Sequence, residues 1–206
     1  APEISAVGVC NVPIGIRIRF QALLEAQLGT QLDGQHTELN TLGLNHLTWH
    51  RGFKLDGEDM WPQVMKAYLA ELRVSPNPEW EVGLIDTLQM IPNYYLQYYY
   101  HTDHKLAEQA HWPPSRAEAV AEIETTLLRQ YAQPDNTELP ADLMKRGGAY
   151  YSTMATQLLN SHYNNLGKTH VVNVPHKGTV AGWPADWVLE MPCRVDAKGI
   201  QPLPAE

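Results

Sequence analysis

Two stretches with strand-like composition stand toward opposite ends of the chain, and the periodic segments between them repeat at helical spacing. The first, TELNTLGLNHLTWHRGFKLDG at residues 37–57, mixes Thr, Leu, Trp and Phe and ends on Asp56-Gly57, a hairpin-type turn signal. At the other end THVVNV and DWVLEMPCRV are β-branched and bounded by Pro or Gly, so they too read as strands. Between them EDMWPQVMKAYLAELRV and EWEVGLIDTLQM carry helical periodicity, and Pro92 interrupts before NYYLQYYY. Ser115 followed by Glu118 forms a capping box ahead of a stripe of Val120, Ile123, Leu127 and Tyr131, and AYYSTMATQLLNS adds a further helix after Gly147-Gly148. Upstream, EISAVGVC reads as an opening strand, and PIGIRIRFQALLEAQLG as a helix with Ile18, Leu23, Leu24 and Leu28 on one stripe, stopping at Gly29. No repeat of solenoid length is visible, so this order predicts one α+β domain over residues 1–206.

Composition narrows what such a domain does. A net charge of −8 with no run of basic residues gives nucleic-acid phosphates nothing to hold, which sets DNA and RNA aside. No apolar window of about eighteen residues exists, and no basic segment precedes a hydrophobic one, so neither a membrane span nor a secretion leader is expected. Two distant cysteines, Cys10 and Cys193, imply no disulfide framework and fit a reducing cytoplasm. A chain that opens at once on a strand predicts that another domain precedes it.

Several residues carry chemistry, each with a plainer reading beside it. Cys10, after Val-Gly-Val and ahead of Pro13, is either a thiol presented at a rim or a small buried hydrophobe. Nine histidines include His46 and the group His101, His104 and His111, but neither zinc-finger nor HExxH spacing occurs. The run Tyr94, Tyr95, Tyr98, Tyr99 and Tyr100 offers a proton-transfer phenol or an aromatic packing surface. Arg116 follows the N-cap Ser115, where the helix dipole already attracts anions; a phosphate ligand explains a cation there, as does a solvated or salt-bridged side chain. No Ser-His-Asp order, phosphate loop or dinucleotide fingerprint is present.

In order along the chain, GVCNVPIG, GLNHLTW, IPNYYLQYYY, SRAEAV, KRGGAYYSTMA and VVNVPHKGTVAGWPADWVLEMPCRV resemble the C-terminal part of glycoside hydrolase family 4, in its 6-phospho-β-glucosidase branch. The resemblance implies a fold like the C-terminal domain of lactate dehydrogenase, with a helical middle flanked by a mixed β-sheet and with the family's N-terminal Rossmann domain absent. It implies Cys10 and His46 as ligands of manganese or another divalent metal, Asn11 and Arg116 as substrate contacts, and Tyr95 as the catalytic base. The family departs from the paired-carboxylate route: NAD accepts hydride from carbon 3, a base removes the proton at carbon 2, the aglycone is eliminated, water adds and hydride returns. A free phenol titrates at about 10, so Tyr95 in that role requires a cation nearby. The implied partners are a 6-phosphorylated β-glucoside and further copies of the chain in a dimer or tetramer, and the isolated domain is expected to be inactive without the domain that binds NAD. One departure from the pattern is His176 in VPHKG, where an Asn is common. Two other readings predict different outcomes: the substrate domain of a lactate- or malate-type dehydrogenase needs no metal, and a non-catalytic module binds sugar phosphate or assembles without NAD.

Overall fold

The computed structural model describes residues 6–76, 78–111, 114–148 and 150–205. The first helix, α1 (Asn11–Leu28), begins at Cys10, whose backbone is extended and whose Sγ accepts the Val12 N–H at 3.4 Å. Pro13 falls in the first turn, where its missing N–H removes no intrahelical bond. Gly29 closes the helix in the left-handed conformation, φ 68°, returning its N–H to the Glu25 carbonyl. The buried face is Pro13, Ile14, Phe20 and Leu24. Ile18 and Leu28, expected on that face, are exposed: the helical turn places Arg17 rather than Ile18 in line with residues 13, 20 and 24, and Leu28 stands at the last position of the helix, before Gly29.

Among the described residues the opening strand is not formed as a ladder. Residues 3–5 of that segment lie outside the described residues, and the rest makes one isolated bridge, Gly8 N to Asn173 O at 3.0 Å and the reverse bond at 2.8 Å. The helix that starts at Asn11 ends any pairing on the C-terminal side of Gly8.

The predicted β-rich stretch is a hairpin, β1 (Thr37–Leu44) and β2 (Leu47–Leu55), joined by Asn45-His46 and kinked by a register shift between Asn40 and Thr41. Asp56-Gly57, both at positive φ, turn the chain into the short β3 (Glu58–Asp59). Helices α2 (Trp61–Val74) and α3 (Val82–Leu88) follow, then β4 (Ile91–Pro92), which adds to β2 as a two-residue edge where a proline is tolerated. A 3₁₀ turn at Tyr94–Leu96 leads into α4 (Gln97–Tyr100), α5 (Thr102–Ala110), α6 (Arg116–Tyr131), α7 (Asp142–Arg146) and α8 (Tyr151–Tyr163). The chain returns to the sheet with β5 (Lys168–Pro175), β6 (Val188–Asp196) and β7 (Gly199–Pro202).

The sheet order β3-β2-β1-β6-β5, with β4 on β2 and β7 on β6, places the early hairpin beside the late strands through Gly43 and Glu190. All pairings given for the described residues are antiparallel. The α+β order is therefore as expected, and the two end segments prove to be one sheet. One core cluster lies around α1 and α2 with Phe20, Phe53, Val64 and Tyr68, and a second joins Met154 and Leu158 of α8 to Leu189, Met191, Cys193 and Val195 of β6. At α6 both reciprocal bonds of the capping box are made, but of the predicted stripe only Leu127 is buried and Tyr131 is exposed. Both cysteines are free. Among the described residues no helix is long and apolar enough to cross a membrane.

Candidate active site

The turn between β1 and β2 is built under tight backbone constraint. Gly43 has φ 149°, and a Cβ there would come within 2.5 Å of the Leu47 carbonyl oxygen, so the close approach of the two strands excludes any side chain. His46 then takes φ 68°, an uncommon conformation for a residue with a side chain. Its ring stacks on Tyr95, centroids 4.6 Å apart and planes within 25°. Tyr95 is delivered by Asn93, a fully buried residue in the turn after β4. The Asn93 N–H donates to the Thr48 carbonyl at 2.9 Å, its Nδ2 donates to Thr48 Oγ1 at 3.1 Å, and its Oδ1 accepts the Tyr95 N–H at 3.1 Å. Tyr98 lies roughly parallel to Tyr95 at 6.2 Å.

Cys10 approaches the same turn from the start of α1. It is 2% exposed, so the sulfur sits inside rather than at a rim, and as the helix N-cap it is fixed by the Val12 N–H. Burial raises its thiol pKa; the N–H groups of Val12 and Asn11 and the Asn45 side chain oppose the shift, while the charge of Glu190 adds to it. Glu190 is fully buried in β6. Its Oε1 accepts Asn45 Nδ2 at 2.9 Å and Asn173 Nδ2 at 3.3 Å, whereas Oε2 has no hydrogen-bond partner of ordinary geometry. Burial raises this carboxyl's pKa, with Asn173, Asn45 and Thr48 acting against the shift. Cys10, Asn45-His46 and Tyr95 are thus joined by successive contacts, with Glu190 behind them. Glu190 escaped the sequence reading; its one signal is a carboxylate inside the apolar run WVLEMPCRV.

The other expected residues are placed as follows. Asn11 is half-buried at the first position of α1, beside Cys10. Arg116 donates through Nη2 to the carbonyls of Lys145 and Arg146, both at 3.0 Å. The C-terminal carbonyls of α7 thus supply the negative partner that its position at a helix N-terminus calls for. None of these bonds reaches Cys10, His46 or Tyr95. His101 tilts against Trp80, His104 faces Glu108 and His111 bonds the Ala107 carbonyl, so this group serves α5 and its surroundings. His176 is buried with both nitrogens used: Nδ1 accepts the Val180 N–H at 3.2 Å, which leaves Nε2–H to donate to the Pro184 carbonyl at 2.7 Å. It organises the loop between β5 and β6 rather than facing a ligand.

Among the described residues no group of three or more His, Cys, Asp or Glu converges as a complete cation cage. The donor chemistry still fits a divalent ion held by few protein ligands: a thiol that becomes a thiolate on binding and an imidazole leave most positions to water or ligand oxygens. A thiolate suits zinc better than manganese, so selecting manganese would fall to geometry and supply. The corner is open: Tyr95 is 40% exposed, and the cavities found elsewhere, beside α1 and along the β1–β2 strands, are lined by other residues.

Residues 41–206 match the model of the family 4 glycosyl hydrolase C-terminal domain. The chain is 30% identical over 207 residues to the 6-phospho-beta-glucosidase of Escherichia coli (strain K12), covering 96% of this chain and 45% of that protein. It is 33% identical over 206 residues to a probable 6-phospho-beta-glucosidase of Bacillus subtilis (strain 168), with the same coverage. Among solved structures, the 6-phospho-beta glucosidase of Thermotoga maritima, in the form with manganese, NAD+ and glucose-6-phosphate, superposes with a TM-score of 0.82 at 29% identity, over 97% of this chain and 45% of that one. The chain therefore spans less than half the length of the relatives it matches.

Proposed function

Starting from a chain that belongs to the family 4 glycosyl hydrolases as their C-terminal domain, we propose that residues 1–206 form the catalytic and metal-binding domain of a longer 6-phospho-β-glucosidase. The observation that carries this reading is the run of contacts from buried Cys10 through Asn45 to His46 and on to the His46–Tyr95 stack. In this reading Cys10 and His46 hold a divalent ion, manganese by analogy with the Thermotoga maritima structure. When bound, the ion supplies Lewis-acid polarisation at the oxidised carbon 3 and NAD supplies the hydride acceptor and donor.

The chain's own residues do the rest. The Tyr95 phenol takes the proton from carbon 2, and the His46 ring stacked beside it fixes its orientation. Asn11 offers an amide to the sugar hydroxyls, and Glu190 holds Asn45, and through it the turn that presents His46. Arg116 is assigned to the substrate phosphate, with the bonds to the α7 carbonyls setting the direction of its guanidinium. The substrate is a β-linked 6-phospho-glucoside, the enzyme works in the cytoplasm, and the exposed rings of Tyr98, Tyr99 and Tyr100 suit burial against the rest of the enzyme or a second copy. NAD is held mainly outside this chain, so the isolated domain is inactive.

The test is turnover of a chromogenic 6-phospho-β-glucoside by the full-length protein with NAD and manganese. Cys10→Ala and Tyr95→Phe should each abolish it, and turnover that survives both substitutions overturns the assignments.

A further inference from the structure

Away from the catalytic corner a cavity of about 280 Å³ opens between α1, the turn before β1, the start of β5 and α8. Its walls carry two cations, Arg17 and Lys168, together with the Ser161–His170 pair. Arg17 is half-buried, and its guanidinium is spent on neutral acceptors, the Gly34 carbonyl and Thr37 Oγ1, the latter at 2.8 Å. Lys168 Nζ reaches only the Gln35 amide oxygen, at 3.5 Å. Among the described residues neither cation makes an ion pair, although the chain carries 23 acidic residues against 15 basic ones. Glu38, the one carboxylate on the wall, is exposed and pairs with neither.

Burial lowers the Arg17 pKa, and no carboxylate offsets it. Burial, joined by the charges of Arg17 and Lys168, pulls His170 down to about 4, so the imidazole is neutral and the cavity is electropositive. A half-buried guanidinium without a counter-ion is costly, and a tetrahedral oxyanion is the ligand that its fork and a neighbouring ammonium satisfy together. The Ser161 hydroxyl is 1% exposed and lies 2.7 Å from His170 Nε2. With Nε2–H donating to Ser161 Oγ, the hydroxyl proton is free to point at an anion.

We propose that this cavity is a second ligand site, one that binds a small phosphate or phosphate monoester between Arg17 and Lys168 with Ser161 as a further donor. The site does not depend on the glycosidase reading. Inorganic phosphate titrated calorimetrically into the full-length protein provides the test, alongside a crystal of that protein soaked in tungstate to locate the anion. Lys168→Gln, at an exposed side chain that the fold does not need, should weaken phosphate binding about tenfold; Arg17→Gln should weaken it further, and tungsten should lie between the two side chains. A cavity without tungsten, a carboxylate from elsewhere in the protein seated on Arg17, or Lys168→Gln binding phosphate as tightly as the unaltered protein would each overturn the proposal.

Discussion

Glu190 is where the molecule buries a carboxylate. A carboxylate enclosed in β6, between Gly43 on one neighbouring strand and Asn173 on the other, has exchanged water for two amide donors. Both donors meet Oε1, so a glutamine at this position keeps the acceptor while an alanine orphans Asn45 and Asn173. Glu190→Gln should therefore unfold near the unaltered midpoint, and Glu190→Ala should lose roughly 2 kcal/mol or more in urea denaturation. Equal losses would show that the charge, and not the acceptor, is what the corner needs. Cys193 marks the contrast within the same strand: packed in the second core cluster, its thiol is pushed up to about 12, and it is inert where Cys10 is poised beside polar groups.

Among the elements, the β1–β2 hairpin matters most to the site. Its two-residue connection carries Asn45, which bonds Glu190, and His46, which stacks on Tyr95, and its geometry is set by Gly43. Gly43→Ala should reduce turnover of the full-length enzyme at least about tenfold, because even a 1 Å misplacement of a catalytic group costs on the order of a hundredfold; an unchanged kcat would dissociate the turn from catalysis. At α6, Ser115→Ala removes one half of the capping box and should cost about 1 kcal/mol in thermal unfolding. Elements with such punctuation were legible from the sequence: Gly29 ending α1, Ser115 and Glu118 opening α6, Asp56-Gly57 turning β2 into β3. The opening strand misled because Val7 and Val9 flank Gly8 in a strand-like pattern, while pairing there is cut short by the helix that must start at Asn11. β4 and β7 were missed because both are short, end in proline and are recruited by neighbours rather than by their own periodicity.

At the scale of the whole molecule, the proposed site depends on the sheet closing the chain on itself. Asn45 reaches Glu190 and His46 reaches Tyr95 only after β1 lies beside β6 and β4 pairs with β2. No local spacing encodes that meeting, and this is why family resemblance, not periodicity, pointed to Cys10, His46 and Tyr95. The same burial governs acid stability. His50, with both ring nitrogens unpartnered, is held at about 3, and His170 at about 4, by burial and by the cations Arg19 for the first and Arg17 and Lys168 for the second. Both folded values lie below the unfolded value of 6.5, so the unfolded chain takes up protons first as the pH falls. Stability should be fully present above about pH 6.5 and decline below it, by up to roughly 1.4 kcal/mol per pH unit for each histidine. Glu190, shifted upward by burial, works against that loss as the pH falls. Urea midpoints recorded between pH 7 and pH 5 check this, and a flat profile would mean that neither imidazole is held neutral.

The convergence of sulfur, imidazole and phenol is tested most directly by following Mn²⁺ uptake by the full-length protein by electron paramagnetic resonance in the presence of glucose 6-phosphate. The unaltered protein and Tyr95→Phe should both quench the free-ion signal, while Cys10→Ala and His46→Ala should each weaken uptake at least about tenfold. Uptake that is indifferent to both ligand substitutions would contradict the account.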